Sequence, residues 1–193
     1  MATKKTRERS DIPEQSKWDL TGIYEDDKGW ERELASIDDI TQELLTFQGR
    51  LAESADTLLA ALKKSDEAAL RLSRLVCYAK MKQDEDNRVS RYQEMFGKAM
   101  AAAAKTTAAS SFMTPELLAS PEDKILGFIA EEPALAEYEF NIRNIFREKK
   151  HVLSAKEEHI FAELGDVLGG ADTIFSSSHR SEERRVGKEC RSR

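Results

Sequence analysis

Three histidines, His151, His159 and His179, are the residues of this chain best suited to hold a metal or move a proton near neutral pH. Zinc hydrolysis on a helix needs two imidazoles one turn apart with a carboxylate beside them, the His-Glu-x-x-His spacing. Here Glu157 and Glu158 precede His159, and His151 lies eight residues earlier across a helix start. The spacing predicts a loop or cap role for His151 and a helix-surface role for His159. Carboxylates recur in pairs, at Asp38-Asp39, Asp84-Glu85-Asp86 and Glu131-Glu132. They are expected at caps and turns, where they complement helix N-termini or stay in water. Cys77, between Val76 and Tyr78, has no activating base beside it and reads as a core thiol. No serine elbow and no glycine-rich phosphate loop is present. The expectation is therefore no catalytic, no cofactor-binding and no metal-ligating residue in this chain.

The elements that carry these residues read as an all-α array of antiparallel helices. Charged residues make up 34% of the 193 and aromatics 7%, with 9 glycines and 4 prolines, a balance that suits helices better than sheets. An irregular apolar stretch from Ile12-Pro13 through Trp18-Asp19-Leu20 to Ile23-Tyr24 is expected to pack across the helices. A long helix starting near Asp26 or Asp27 sets Trp30, Leu34, Ile37, Ile40, Leu44, Leu45 and Phe47 on one face, and Gly49 supplies the left-handed residue that closes it.

A short helix is predicted from Asp56 through Leu58, Leu59 and Leu62. Ser65 then caps the next, which carries Leu70, Leu72, Leu75, Val76 and Tyr78 to about Lys82. Asp84 to Asn87 is the turn. Val89 to Ser110 follows with Tyr92, Met95, Phe96 and Met100, then alanines that favour helix and let a neighbour approach. Thr114-Pro115 and Ser120-Pro121 each place a hydroxyl before a proline and predict two short helices. Pro133 breaks the chain ahead of a helix over Ala134 to Arg147, with Leu135, Tyr138, Ile142, Ile145 and Phe146 on one side. Ser154-Ala-Lys-Glu157 has capping-box spacing for a helix to about Leu168, which Gly169-Gly170 ends.

Charge is distributed unevenly. The formal net charge is −6, yet the stretch from Arg180 carries +3 and the opening ten residues, with Lys4, Lys5, Arg7 and Arg9, also carry +3. The rest is strongly acidic, the wrong field for a nucleic-acid face. Two cysteines, no secretory segment and no run of apolar residues long enough to span a bilayer predict a cytoplasmic, non-membrane protein without disulfides.

An ordered series of segments resembles oligoendopeptidase F, a family of thimet-oligopeptidase-like zinc metallopeptidases. It begins at Ile12-Pro13-Glu-Gln-Ser-Lys-Trp18-Asp19-Leu20-Thr-Gly-Ile23-Tyr24 and Phe47-Gln-Gly49-Arg-Leu51, and continues through Tyr78 to Asp86 and Phe112-Met-Thr-Pro-Glu-Leu117. Leu135-Ala-Glu-Tyr138, Arg147-Glu-Lys-Lys-His151-Val-Leu-Ser154-Ala-Lys-Glu157-Glu158 and Leu168-Gly-Gly-Ala-Asp-Thr-Ile174-Phe175-Ser176 complete it. The resemblance implies a helical N-terminal domain over 11–176, forming a wall or lid above a channel that admits short peptides. It places the zinc-binding His-Glu-x-x-His beyond this chain. Zinc in the full-length parent, short peptide substrates and a missing C-terminal catalytic domain as partner are implied with it, as is inactivity of this piece alone.

Residues 1–10 are expected to be a disordered basic arm. Residues 177–193 are expected to be a non-native or disordered tail, since Arg180 to Arg193 resembles the translation of a sequencing-library adapter. A different class of function, a stand-alone helical interaction or scaffold module, would hide its apolar faces. A severed lobe would expose them, and the aliphatic sides of the 134–147 and 155–168 helices are the expected surfaces.

Overall fold

The computed structural model describes residues 12–149, and those up to Arg147 belong to one compact unit. The helix expected over 155–168, the capping box at Ser154, all three histidines, the basic arm and the tail lie outside the described residues. Within them every regular element is helical: α1 (Asp27–Leu45), α2 (Ala55–Glu85), α3 (Ser90–Ser110), α4 (Met113–Ala119), α5 (Glu122–Glu131) and α6 (Glu139–Glu148), with 3-10 turns at Glu14–Ser16 and Pro133–Tyr138.

Helix α1 starts because Asp26 is extended and its carboxylate accepts a hydrogen bond from the Gly29 N–H at 2.7 Å, satisfying an otherwise orphaned donor. Trp30, Ile37, Ile40, Thr41 and Leu44 form its buried stripe. Leu45, one residue further and about 100° around the helix, is exposed, contrary to expectation, and Phe47 lies past the helix end. Gly49 adopts the expected left-handed backbone, φ +80°, but it lies in the turn beyond α1, whose C-cap is Thr46.

One 31-residue helix replaces the two expected before Asp84. Ser54 caps α2 by accepting from the Thr57 N–H, and Ser65 lies eleven residues inside it. The polar run Lys63 to Glu67 contains no glycine or proline to stop a helix, and its charges are used between helices. Lys64 bridges Glu43 of α1 at 2.8 Å and Glu67 at 2.9 Å, which holds its ammonium above the usual lysine range. Leu70 was expected inside but is 63% exposed.

At about 1.5 Å per residue, α2 is roughly 46 Å long, enough to serve two clusters of apolar side chains. Its C-terminal half packs with α1 and α3 around Trp30, Ile37, Ile40, Leu44, Leu72, Leu75, Tyr78 and Met95. The Trp30 indole N–H donates to the Leu75 carbonyl at 2.9 Å, so the largest side chain of this core leaves no polar atom unmet. Ala68, Ala79 and Ala99 bring the helices close. Only part of the alanine run takes part, because Ala101 and Ala104 face solvent, and Met100 is exposed where burial was expected. The hydroxyls of Thr41 and Thr106 meet at 2.8 Å between α1 and α3.

The N-terminal half of α2 packs Leu58 and Ala61 with Leu51, Leu117, Ile125, Phe128, Leu135, Ile142 and Phe146. Neither proline motif caps as expected. Ser111 and Phe112 keep right-handed helical backbone, so α3 passes into α4 with no extended residue from which a hydroxyl could cap, and Thr114 falls inside α4. Ser120 ends α4 and its hydroxyl donates back to the Glu116 carbonyl, while Pro121 is the residue that precedes α5. Pro133 opens a 3-10 turn before α6, so the helix expected from Ala134 begins at Glu139. Its aliphatic side, expected to be exposed, is buried at Leu135, Ile142 and Phe146; Phe140 instead faces outward.

Two long-range hydrogen-bond sets hold this second cluster. The Glu116 carboxylate accepts from Gly49 N–H at 2.8 Å and Leu51 N–H at 2.7 Å, fixing the α1–α2 connection to α4. The Tyr138 hydroxyl donates to Asp66 of α2 at 2.6 Å, and that bond lifts the phenol to about 12.

Candidate functional site

The N-terminus of α1, the end of α2 and the start of α3 converge with the 14–25 segment on an open cleft of about 700 Å³. Its centre is Asp27, whose carboxylate accepts from the Tyr78 hydroxyl at 2.9 Å. Lys82 stands 3.6 Å from the same carboxylate and Arg91 3.4 Å from it, and Arg91 also reaches Glu31 at 3.1 Å. Three helices thus share one charge. Burial, then the hydrogen bond to Asp27 and its charge, raise the Tyr78 phenol well above the ordinary tyrosine range.

The cleft is also an aromatic cage for the chain's own cations. The Lys82 ammonium lies 5.5 Å from the ring centroids of both Tyr78 and Tyr92. Arg74 lies 5.5 Å over Tyr24, whose ring meets Tyr78 edge-on at 5.4 Å. The sequence pattern places Lys82 one helical turn after Tyr78, which brings the lysine stem alongside the ring. Trp18 lines the mouth and is 53% exposed. The opening segment was expected to pack through its aromatics; Leu20 is buried and Ile23 and Tyr24 half-buried, but the indole is left on the surface.

Of the residues weighed for chemistry, Glu85 lines this cleft, and the other described ones lie elsewhere. Cys77 is exposed on α2, with its thiol 3.8 Å from the Met81 sulfur, correcting its reading as core. The helix turns it away from the buried Leu75 and Tyr78. Asp38 and Asp39 lie inside α1 instead of at a cap, and Asp38 pairs with Lys105 of α3 at 2.8 Å. Asp84 pairs with Lys80 and Asp86 with Arg88, while Glu132 accepts from the Ala134 N–H at the 3-10 turn. Among the described residues, no group of three His, Cys, Asp or Glu side chains could hold a metal ion. No described helix is long and apolar enough to cross a membrane.

Sequence and fold point the same way when set beside known proteins. The family model described as Oligopeptidase F matches residues 116–182. Over 169 residues, 88% of this chain, it is 37% identical to the Oligopeptidase PepF of Bacillus subtilis. The chain belongs to the oligopeptidase F family. It is also 36% identical over 86% of its length to the Group B oligopeptidase PepB of Streptococcus agalactiae. The crystal structure of oligoendopeptidase-F from Enterococcus faecium superposes with a TM-score of 0.63 over 74% of this chain, at 26% identity. A putative peptidase from Chlamydophila abortus reaches 0.71 over 90%, also at 26%. The chain spans about a quarter of the relatives' length, 25% of the first and 28% of the second.

Proposed function

We propose that this chain is the non-catalytic N-terminal portion of a zinc-dependent oligoendopeptidase that hydrolyses internal bonds of short peptides, and that alone it is inactive. The observation that carries the reading is the alignment of 88% of the chain with about a quarter of a named oligopeptidase. Zinc, when bound in such a protein, would activate a water molecule for attack on the peptide carbonyl. The described residues do not fit that metal: they include no histidine and no convergent ligand group, so no step of hydrolysis is assigned to them. Their contribution is a helical wall, made rigid by two apolar clusters joined through α2. The parent is proposed to act in the cytoplasm, with the remaining three-quarters as the domain that this piece packs against.

The test is a pair of assays with a quenched fluorescent octapeptide. The polypeptide obtained by extending the reading frame downstream of the Ile174 codon should cleave it, and a chelator should stop cleavage. The 193-residue chain, with or without added zinc, should release no product. Zinc-dependent turnover by the short chain would overturn its assignment as non-catalytic, and a long form without chelator-sensitive cleavage would overturn the peptidase reading.

A further inference from the structure

We propose that the cleft between Trp18, Tyr24 and Tyr92 is a docking site for a short cationic peptide, with an arginine or lysine side chain laid over the Trp18 indole and Glu25 as its counter-charge. That the ligand is a peptide rests on the proposed function; the choice of a cationic one rests on the cleft.

The cleft has already selected cations from its own chain. Tyr78 and Tyr92 share the Lys82 ammonium on the lining, and Tyr24 carries over its ring the guanidinium of Arg74, which is not itself a lining residue. Trp18 offers the largest ring at the mouth, and among the described residues no cation lies over it. Indole is the strongest aromatic partner for a positive charge.

Matching the lining's charges by partner leaves one carboxylate, Glu25, and one cation, Lys28, over. Asp27 is shared by Tyr78, Lys82 and Arg91; Asp26 caps Gly29; Asp19 accepts from Thr21; Glu14 is paired with Lys17. Glu25, on the same lining, has no partner among the described residues. The lining holds six carboxylates against four cations, so its field favours a positive ligand. Its volume of about 700 Å³ exceeds one side chain, and Leu20 and Val89 supply apolar wall for the neighbouring residue of a peptide.

The two tryptophans make the test direct. Trp30 is buried with its N–H on the Leu75 carbonyl, so Trp18 is the indole that a ligand in the cleft would desolvate. The full 193-residue chain is titrated with acetyl-Arg-Ile-Arg-Ile-amide and with its Glu-for-Arg counterpart. The cationic peptide should give a saturable blue shift in tryptophan emission that weakens with salt, and the acidic peptide none. By calorimetry, Trp18→Ala should weaken binding about 2- to 5-fold, the worth of an exposed cation–aromatic contact. Glu25→Gln should weaken it and flatten the salt dependence. Equal binding of both peptides, or affinity unchanged by both substitutions, would overturn the proposal. So would binding that appears only after residues 2–10 are deleted, because the chain's own basic arm would then be the occupant. The fluorescence readout needs no turnover, so its failure is separable from failure of the peptidase reading.

Discussion

Tyr78 and the Thr41–Thr106 pair show how single polar groups are made affordable inside a helical core. The Tyr78 phenol is held protonated by burial first and by Asp27 second, so its folded pKa lies above its unfolded one. The stability this contributes is present in full below the unfolded value of about 10 and is lost as pH rises toward the folded value. Tyr78→Phe should therefore flatten the alkaline limb of a stability-versus-pH curve measured by urea unfolding. Near neutral pH it should cost about 1 kcal/mol, the net worth of one hydrogen bond. An alkaline limb identical to the parent's would refute the assignment. The threonine pair answers to a different rule. Thr41 donates to the Ile37 carbonyl at 2.8 Å, which leaves Thr106 as donor to Thr41. Thr41→Val removes the acceptor for Thr106 and should cost about 1–3 kcal/mol, the penalty for stranding a buried hydroxyl. Adding Thr106→Val should return part of that loss. Strict additivity in the double-mutant cycle would show that the hydroxyls do not couple.

At the scale of elements, the clearest difference between pattern and structure is a serine that caps and one that does not. Ser54 is extended and bonded to the Thr57 N–H, so Ser54→Ala should lower stability by about 1 kcal/mol. Ser65 sits within continuous helix, where Ser65→Ala should be neutral or stabilising by up to about 0.5 kcal/mol through helix propensity. Denaturant midpoints of the two variants distinguish one long helix from two short ones, since a capping Ser65 would reverse the second result. The start of α1 at Asp27 and the left-handed backbone of Gly49 were legible because a cap or a left-handed residue is a local requirement that few residue types satisfy; that the helix already stops at Leu45 was not. The end of α2 was legible only roughly, since the helix expected to stop near Lys82 runs to Glu85 and takes in Asp84, the expected start of the turn. The continuity of α2 was not legible, because Lys63 to Glu67 looks like a loop until Glu43 of α1 is known to stand opposite Lys64. The cleft was invisible for the same reason. Tyr24, Tyr78 and Tyr92 are far apart in sequence, and nothing local says that Asp27 will be their common neighbour. Only the Tyr78–Lys82 spacing hinted at a cation beside a ring.

At the scale of the whole described unit, α2 decides how the parts respond to one another. Leu75 is fully buried in the cluster with α1 and α3, and Leu58 in the cluster with α4, α5 and α6. A single uninterrupted helix carries both, and Glu116 ties the α1–α2 connection to α4 through the Gly49 and Leu51 N–H groups. Opening one cluster would strand one end of α2 in water without the burial that stabilises it, because an isolated helix turn is marginal by itself. The two clusters should therefore open as one cooperative unit. Leu58→Ala and Leu75→Ala should each cost about 2–5 kcal/mol by the usual transfer and cavity terms. Each should lower hydrogen-exchange protection at the slowest amides of both clusters by a similar amount. If Leu58→Ala weakens protection only around Leu117, Ile125 and Ile142, leaving Trp30 and Met95 unchanged, then α2 does not transmit stability along its length. The wall would in that case be two lobes hinged near Ser65, and a rigid-wall role in the parent would lose its physical basis.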